Sequence, residues 1–454
     1  MLRARALALA ALSFALSFAC SEQPRLSVVD ATVISDARTS RLDAGFAEDV
    51  AFTDAAEAVD AGSGVADLGF ADVGVADAGL VDAGTDAGLP VDSGITCNFG
   101  AAGDTERPRT VLVSHPYDAN AGRGHEVRSL TLQQNGTLVD NGMRLDTGAR
   151  VKALAFVPSG ELALALGEDG ELVSLAVLGT TLSVLDMIQL PSADYGEIHI
   201  SPDGQTAWII GLNVAETSGI SVVRIDCSGL LLEEPNLFLN IRLAESLAFL
   251  PGGQRAVLLG GQAVFDPMDP KDLRVLELNA LGGFSEIDNA DIFHDIVSTG
   301  RIAVSPNGRT LMVPNNSIAS NETSLVLVAD INGTVLSEAS RIMNLDGPEE
   351  ALFSPDGVAV LVTRPEANRV TVLRDSGSGW AVAFEIGGLG LVDQMAMVPR
   401  GSLLGLVLLP SIDTNGTSNV AMLKIDPNGV VRDLGQLDFG DGFEEIPEAI
   451  AVMQ

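Results

Sequence analysis

Four carboxylates stand at one equivalent position in a chain that repeats itself. The repeat is a Pro-x-Gly signature behind an apolar stretch, and alignment on its proline brings Lys152, Gly196, Glu245, Gly300, Glu349, Asp393 and Glu448 into register. The next register position holds Ala153, Glu197, Ser246, Arg301, Glu350, Gln394 and Ala449. Carboxylates converging on a common axis would suit a hard cation such as Ca2+, which takes oxygen ligands. The competing reading makes Glu245, Glu349, Asp393 and Glu448 solvated rim charges with Lys152 and Arg301 as counterions, and then no cofactor is expected. His199 stands where the other units carry Ala155, Ala248, Ala303, Leu352, Ala396 and Ala451, so it is the one titratable group at that position. An imidazole there is either a functional group or a packed, hydrogen-bonded core histidine.

Other chemistry is scarce. His115, His125 and His294 fall in expected loops or strand edges, and no pair has the H-x-x-x-H spacing of a zinc site. His115 and His125 flank a loop over residues 116–124 that resembles no known site. No nucleophile elbow G-x-S-x-G, phosphate-binding Walker loop or C-x-x-C is present. Residues 266–272 and 286–291 concentrate acids between expected strands, which reads as loop solvation or as a cation site.

The elements that must hold these residues follow from the signature. It occurs six times, as at Phe353-Ser354-Pro355-Asp356-Gly357, at spacings of 44 to 55 residues. Ser305-Pro306-Asn307-Gly308 has the proline and glycine placement of a tight turn, between expected strands over 301–305 and 309–313. A third strand is expected over 324–329 and, after the turn Asp330-Ile331-Asn332-Gly333, a fourth over 334–337. Asp226-Cys227-Ser228-Gly229 and Asp426-Pro427-Asn428-Gly429 repeat the second turn. Four antiparallel strands in such a unit make a β-propeller blade, and apolar residues on both sides of each strand suit blades covered on both faces.

Six signatures become seven blades at the chain ends. Arg109-Thr110-Val111-Leu112-Val113 matches a second strand with no first strand ahead of it, and residues 447–452 match a first strand with nothing after it. Together they complete one blade, which removes exposed sheet edges. The fold expected is therefore all-β: a seven-bladed propeller over 97–454, closed by N- and C-terminal strands in one blade. Cys227 in a third-to-fourth strand turn and Cys97 upstream of a second strand then share one face of the ring, so a Cys97–Cys227 disulfide would clamp the segment before the propeller across it.

The Phe-Ser-Pro-Asp-Gly segment and its variants resemble the repeats of seven-bladed YVTN and lactonase-like propellers, over residues 107–454. The resemblance implies the fold. It leaves activity open, because the shared residues are turn formers and such propellers include surface repeat proteins and lactone hydrolases alike.

Ahead of the propeller, Arg3 and Arg5 precede an apolar run from Ala6 to Ala19 and then Cys20, the layout of an export signal over residues 1–19. Leu16-Ser17-Phe18-Ala19-Cys20 resembles the lipobox of bacterial lipoproteins, with the leucine one place further from the cysteine than usual; plain cleavage after Ala19 is the alternative. Lipidation of Cys20 would anchor the chain to a membrane. Residues 20–96 repeat Asp-x-Gly triplets such as Asp77-Ala78-Gly79 and hold little that builds a core, so a disordered acidic tether is expected. The Asp-Ala-Gly spacer behind a lipobox resembles lipoproteins of myxobacteria and their relatives.

A formal charge of −35 excludes nucleic acid as a partner, since phosphate binding needs clustered Lys and Arg. The preferred reading is an exported outer-membrane lipoprotein whose propeller is a non-enzymatic binding module for a protein, glycan or small molecule. The alternative is a lactonase-like hydrolase with its site at the channel mouth, using channel acids with His199 or Arg301.

Overall fold

The computed structural model describes residues 107–115, 125–191, 195–211, 219–241, 244–260, 272–290, 300–316, 325–333, 335–392, 394–412, 417–426, 428–440 and 447–453. The expected signal peptide, Cys20, the spacer 20–96, Cys97, His294, Asp393 and the loop 116–124 lie outside the described residues.

The unit around Pro306 shows how local chemistry makes a blade. Ser305 N–H donates to Thr310 O, and Gly308 N–H to Ser305 O, each at 2.8 Å. The Ser305 hydroxyl donates to Asn307 Oδ1 at 2.8 Å and accepts the Thr310 N–H at 2.9 Å. Gly308 takes φ 70°, a conformation that costs a residue bearing Cβ about 1–2 kcal/mol. Strands Ala303–Val304, Thr310–Asn315, Leu325–Asn332 and Val335–Met343 then pair in chain order, all antiparallel. The first strand is shorter than the residues 301–305 expected, because the chain ahead of it pairs with the next blade instead: Arg301 N–H donates to Glu349 O at 2.6 Å and accepts from Ala351 N–H through its carbonyl at 3.1 Å.

Seven such sheets are present among the described residues. Numbered along the chain, blade 1 covers residues 151–189, blade 2 195–240, blade 3 244–290, blade 4 303–343, blade 5 351–387 and blade 6 391–440. Blade 7 is built from both ends: Ile450–Val452 is its innermost strand and pairs antiparallel with Arg109–His115, Val111 opposite Val452 and Val113 opposite Ile450. Arg109 Nη1 donates to Met453 O at 2.9 Å, and Ser114 Oγ accepts the Ala449 N–H at 2.9 Å. The fold is a seven-bladed β-propeller, with its seam where expected.

Packing explains the strength of the pattern. Seven clusters of buried apolar side chains each join one blade to the next, so second and third strands carry Val, Leu and Ile on both faces. The turns stack as well. A Cβ on Gly308 would lie 2.9 Å from Pro251 Cδ, and one on Gly357 3.2 Å from Pro306 Cδ. Gly308 and Gly357 thus make room for the proline of the preceding blade, a second reason for the Pro-x-Gly spacing beyond turn geometry, while Gly160 makes room for Met453.

Candidate functional site

The inner strands run in one direction around a central channel, so the register positions read from the sequence become rings of residues at its wall. The ring that begins with Ala153 is a belt joining blades. Glu197 Oε1 accepts the Ser246 hydroxyl at 2.7 Å, and its Oε2 accepts the Leu247 N–H at 3.0 Å. Ser246 Oγ in turn accepts the Ile302 N–H at 3.0 Å. Glu350 Oε2 accepts the Met395 N–H at 2.7 Å, and Gln394 Nε2 donates to Lys152 O at 2.8 Å. Three of these bonds share one pattern: Glu197, Ser246 and Glu350 each cap the N–H that follows the same position in the next blade, whereas Gln394 donates to a carbonyl of blade 1. All four side chains are buried.

Arg301 reaches back over two blades. Its Nη2 donates to Gly196 O at 2.7 Å, and its Nε lies 3.7 Å from Glu197 Oε1. His199 Nε2 lies 3.0 Å from Glu197 Oε2. Burial pushes the Glu197 carboxyl up, but the hydrogen bond and charge of His199, the Arg301 guanidinium and the Leu247 N–H together hold it below its ordinary value. Ionised Glu197 only accepts hydrogen bonds, so the His199 proton sits on Nε2.

Of the acids aligned one position earlier, Glu245, Glu349 and Glu448 are described and Asp393 is not. Glu349 Oε1 accepts a long 3.4 Å bond from Asn316 Nδ2, Glu245 is half-buried and Glu448 buried, and Lys152 Nζ pairs with Glu168 Oε1 at 3.0 Å within its own blade. Among the described residues no group of three or more His, Cys, Asp or Glu side chains is placed to hold a metal ion. Of the two acid-rich stretches, residues 266–271 and Asp291 lie outside the described residues, and 286–290 belong to the strand Phe284–Ala290, where Glu286 Oε2 accepts from the buried Arg274 Nη1 at 2.7 Å. His115 is buried with its ring 5.1 Å from Phe439, edge to face, and His125 is 4.0 Å from Asp146. Cys227 is disulfide-bonded.

The open space lies further along the channel. A cavity of about 310 Å3 is walled by the inner strands of blades 1, 2, 6 and 7, with Ala155, His199, Ala396 and Ala451 on its lining. These are four of the seven residues at the His199 position of the repeat, and the ladders confirm their equivalence: Ala155 pairs with Leu164, His199 with Trp208, Ala396 with Leu408 and Ala451 with Leu112. Pro158 also lines the cavity, which sets it toward the Pro-x-Gly turns, away from the acids at the strand starts. The His199 side chain is 25% exposed, so a small molecule in the cavity can touch it. Alanine at 155, 396 and 451 is what leaves the room.

No family model matches the chain, and no curated protein is detectably similar to it. Solved structures are. A Bacteroides uniformis protein provisionally assigned as a 6-phosphogluconolactonase superposes with a TM-score of 0.60 at 14% identity, over 76% of this chain and 99% of that one. A Lactobacillus plantarum protein gives 0.59 at 14% identity, over 76% and 100% of the two chains. The periplasmic gluconolactonase of Pseudomonas aeruginosa gives 0.55 at 15% identity, over 76% and 99%. The chain is thus a seven-bladed β-propeller structurally similar to lactonase-like proteins. At these identities the likeness speaks for the fold.

Proposed function

We propose that this protein is a binding propeller of the cell envelope, taking a small ligand in its central channel without transforming it. The observation that carries this reading is the use made of the polar groups near the channel. Glu197 holds four partners across three blades, Glu350 caps the next blade, and what remains beside the cavity is one imidazole in a ring of alanines. A hydrolase needs a base and a stabiliser for developing charge, both free to act on substrate.

The N-terminal features complete the proposal. Cys20 carries lipid, residues 20–96 form the tether, and the disulfide of Cys227 is made with Cys97. Lipidation at Cys20 is checked by detergent-phase partitioning that Cys20→Ala abolishes. Binding is tested by thermal melting of the full chain against a small-molecule collection, since a ligand that binds only the folded state raises the melting temperature. Ligands should stabilise the wild type and fail to stabilise Ala155→Phe, in which a ring fills the cavity. Equal stabilisation of both would remove the site from the channel.

One observation favours a second reading, lactone hydrolysis. The 3.0 Å contact between Glu197 and His199 is how a carboxylate orients a catalytic imidazole, and of the similar structures one is described as a periplasmic gluconolactonase and another provisionally as a 6-phosphogluconolactonase. That reading requires hydrolysis dependent on His199.

A further inference from the structure

The cavity wall offers more hydrogen-bonding capacity than its side chains suggest. Val157 N–H donates to Leu162 O at 2.9 Å, so residues 157 and 162 form a hydrogen-bonded pair. Antiparallel ladders alternate such pairs with pairs whose main-chain groups point outward. The unbroken register from Leu154 to Phe156 therefore turns the N–H and C=O of Leu154 and Phe156 away from the second strand, toward the channel. Ser201 N–H to Thr206 O at 2.8 Å fixes the same phase in blade 2 and turns out Ile198 and Ile200. Ser114 N–H to Ala449 O at 3.0 Å does so in blade 7 for Ile450 and Val452. All six residues line the cavity. Their side chains pack between blades, so it is the strand edges that face the open space.

On the basis of the channel-binding reading above, we propose that the cavity takes a compact, neutral, hydroxyl-rich molecule, a polyol or a cyclic sugar without phosphate or carboxylate, recognised by strand-edge main chain and by His199. A strand edge presents alternating donors and acceptors, and a hydroxyl is both. A carboxylate only accepts and an ammonium only donates, so neither matches an alternating edge. Among the described residues no Lys or Arg lines the cavity to receive an anion. The ionised Glu197 behind His199 and the chain's net charge of −35 oppose one further. With Nε2 committed to Glu197, Nδ1 is the ring nitrogen left to hydrogen-bond one ligand hydroxyl, a group that both donates and accepts. Glu197 is the one hydrogen-bond partner of that ring among the described residues.

Saturation-transfer NMR and calorimetry on the full chain at neutral pH test this, with myo-inositol and glucose as neutral probes and gluconate and glucose 6-phosphate as anionic ones. The neutral probes should bind, and the anions should bind about ten-fold more weakly or not at all, a difference of about 1.4 kcal/mol. Ala155→Phe and Ala396→Met fill the cavity from different blades, so a folding defect in one leaves the other informative. Both should abolish neutral-probe binding while the far-UV spectrum stays that of the wild type. Anions binding as tightly as the neutral probes, or neutral-probe binding untouched by both variants, would overturn the proposal, as would no binding by any probe. Another chemical class that binds and is blocked by both variants would overturn the hydroxyl assignment while leaving the channel as the binding site.

Discussion

Single residues in this propeller answer to two demands at once, and the pair Gly308 and Gly142 separates them. Both sit at φ 70°, but a Cβ at Gly142 meets nothing within 4 Å while one at Gly308 meets Pro251 at 2.9 Å. Gly142→Ala should cost about 1–2 kcal/mol for backbone strain alone. Gly308→Ala should cost about 1–3 kcal/mol more through overpacking, measured as a difference in denaturant midpoint at equal slope. Glu197 gives a pH prediction. Its carboxyl is held below the ordinary value in the folded state, so the unfolded chain binds the extra proton first as pH falls. The stability it supplies is complete above about pH 4.3 and is lost as pH drops through the folded value. Glu197→Gln should flatten that acid limb, and Glu197→Ala should cost about 3–5 kcal/mol, because it strands Arg301 and the Leu247 N–H. His199 was legible in the sequence because it breaks a column of small apolar residues. The role of Glu197 was not, because the N–H it caps belongs to a residue 50 positions later, and nothing in a one-dimensional alignment says which neighbour's backbone lies free.

At the scale of elements, the closing strand Ile450–Val452 is the most exposed to test. It is short, and the structure gives it one ladder partner, Arg109–His115, with the flanking bonds from Arg109 and Ser114. Removing residues 449–454 should open blade 7, uncover the edge of Arg109–His115 and turn a cooperative melt into a broad one with aggregation; an unchanged transition would show that the ring does not need its seam. The seam was readable from the start, since a second strand without a first and a first without a second are complementary halves. Strand ends were less so. The expected strand over residues 301–305 survives as Ala303–Val304 because Arg301 bonds to the next blade, and a contact between blades leaves no mark on the periodicity of either.

At the scale of the whole molecule, the proposed tether and clamp of the closed ring are each open to test. The disulfide of Cys227 should contribute about 2–4 kcal/mol, so reductant or Cys227→Ser should lower the melting temperature. Cys97→Ser should do the same if Cys97 is the partner. Wild-type behaviour from Cys97→Ser would reassign it. Limited proteolysis should leave a resistant fragment beginning near residue 97. The fold was legible because six signatures and two complementary half-blades state it, whereas the cavity depends on which inner-strand positions happen to be small, a property visible only once the strands are placed around an axis. The central claim is that the channel binds and does not hydrolyse. The most direct measurement is proton release at constant pH from a panel of five- and six-membered lactones with the full chain. The account predicts rates indistinguishable from buffer for the wild type and for His199→Ala; saturable hydrolysis by the wild type that His199→Ala abolishes would contradict it.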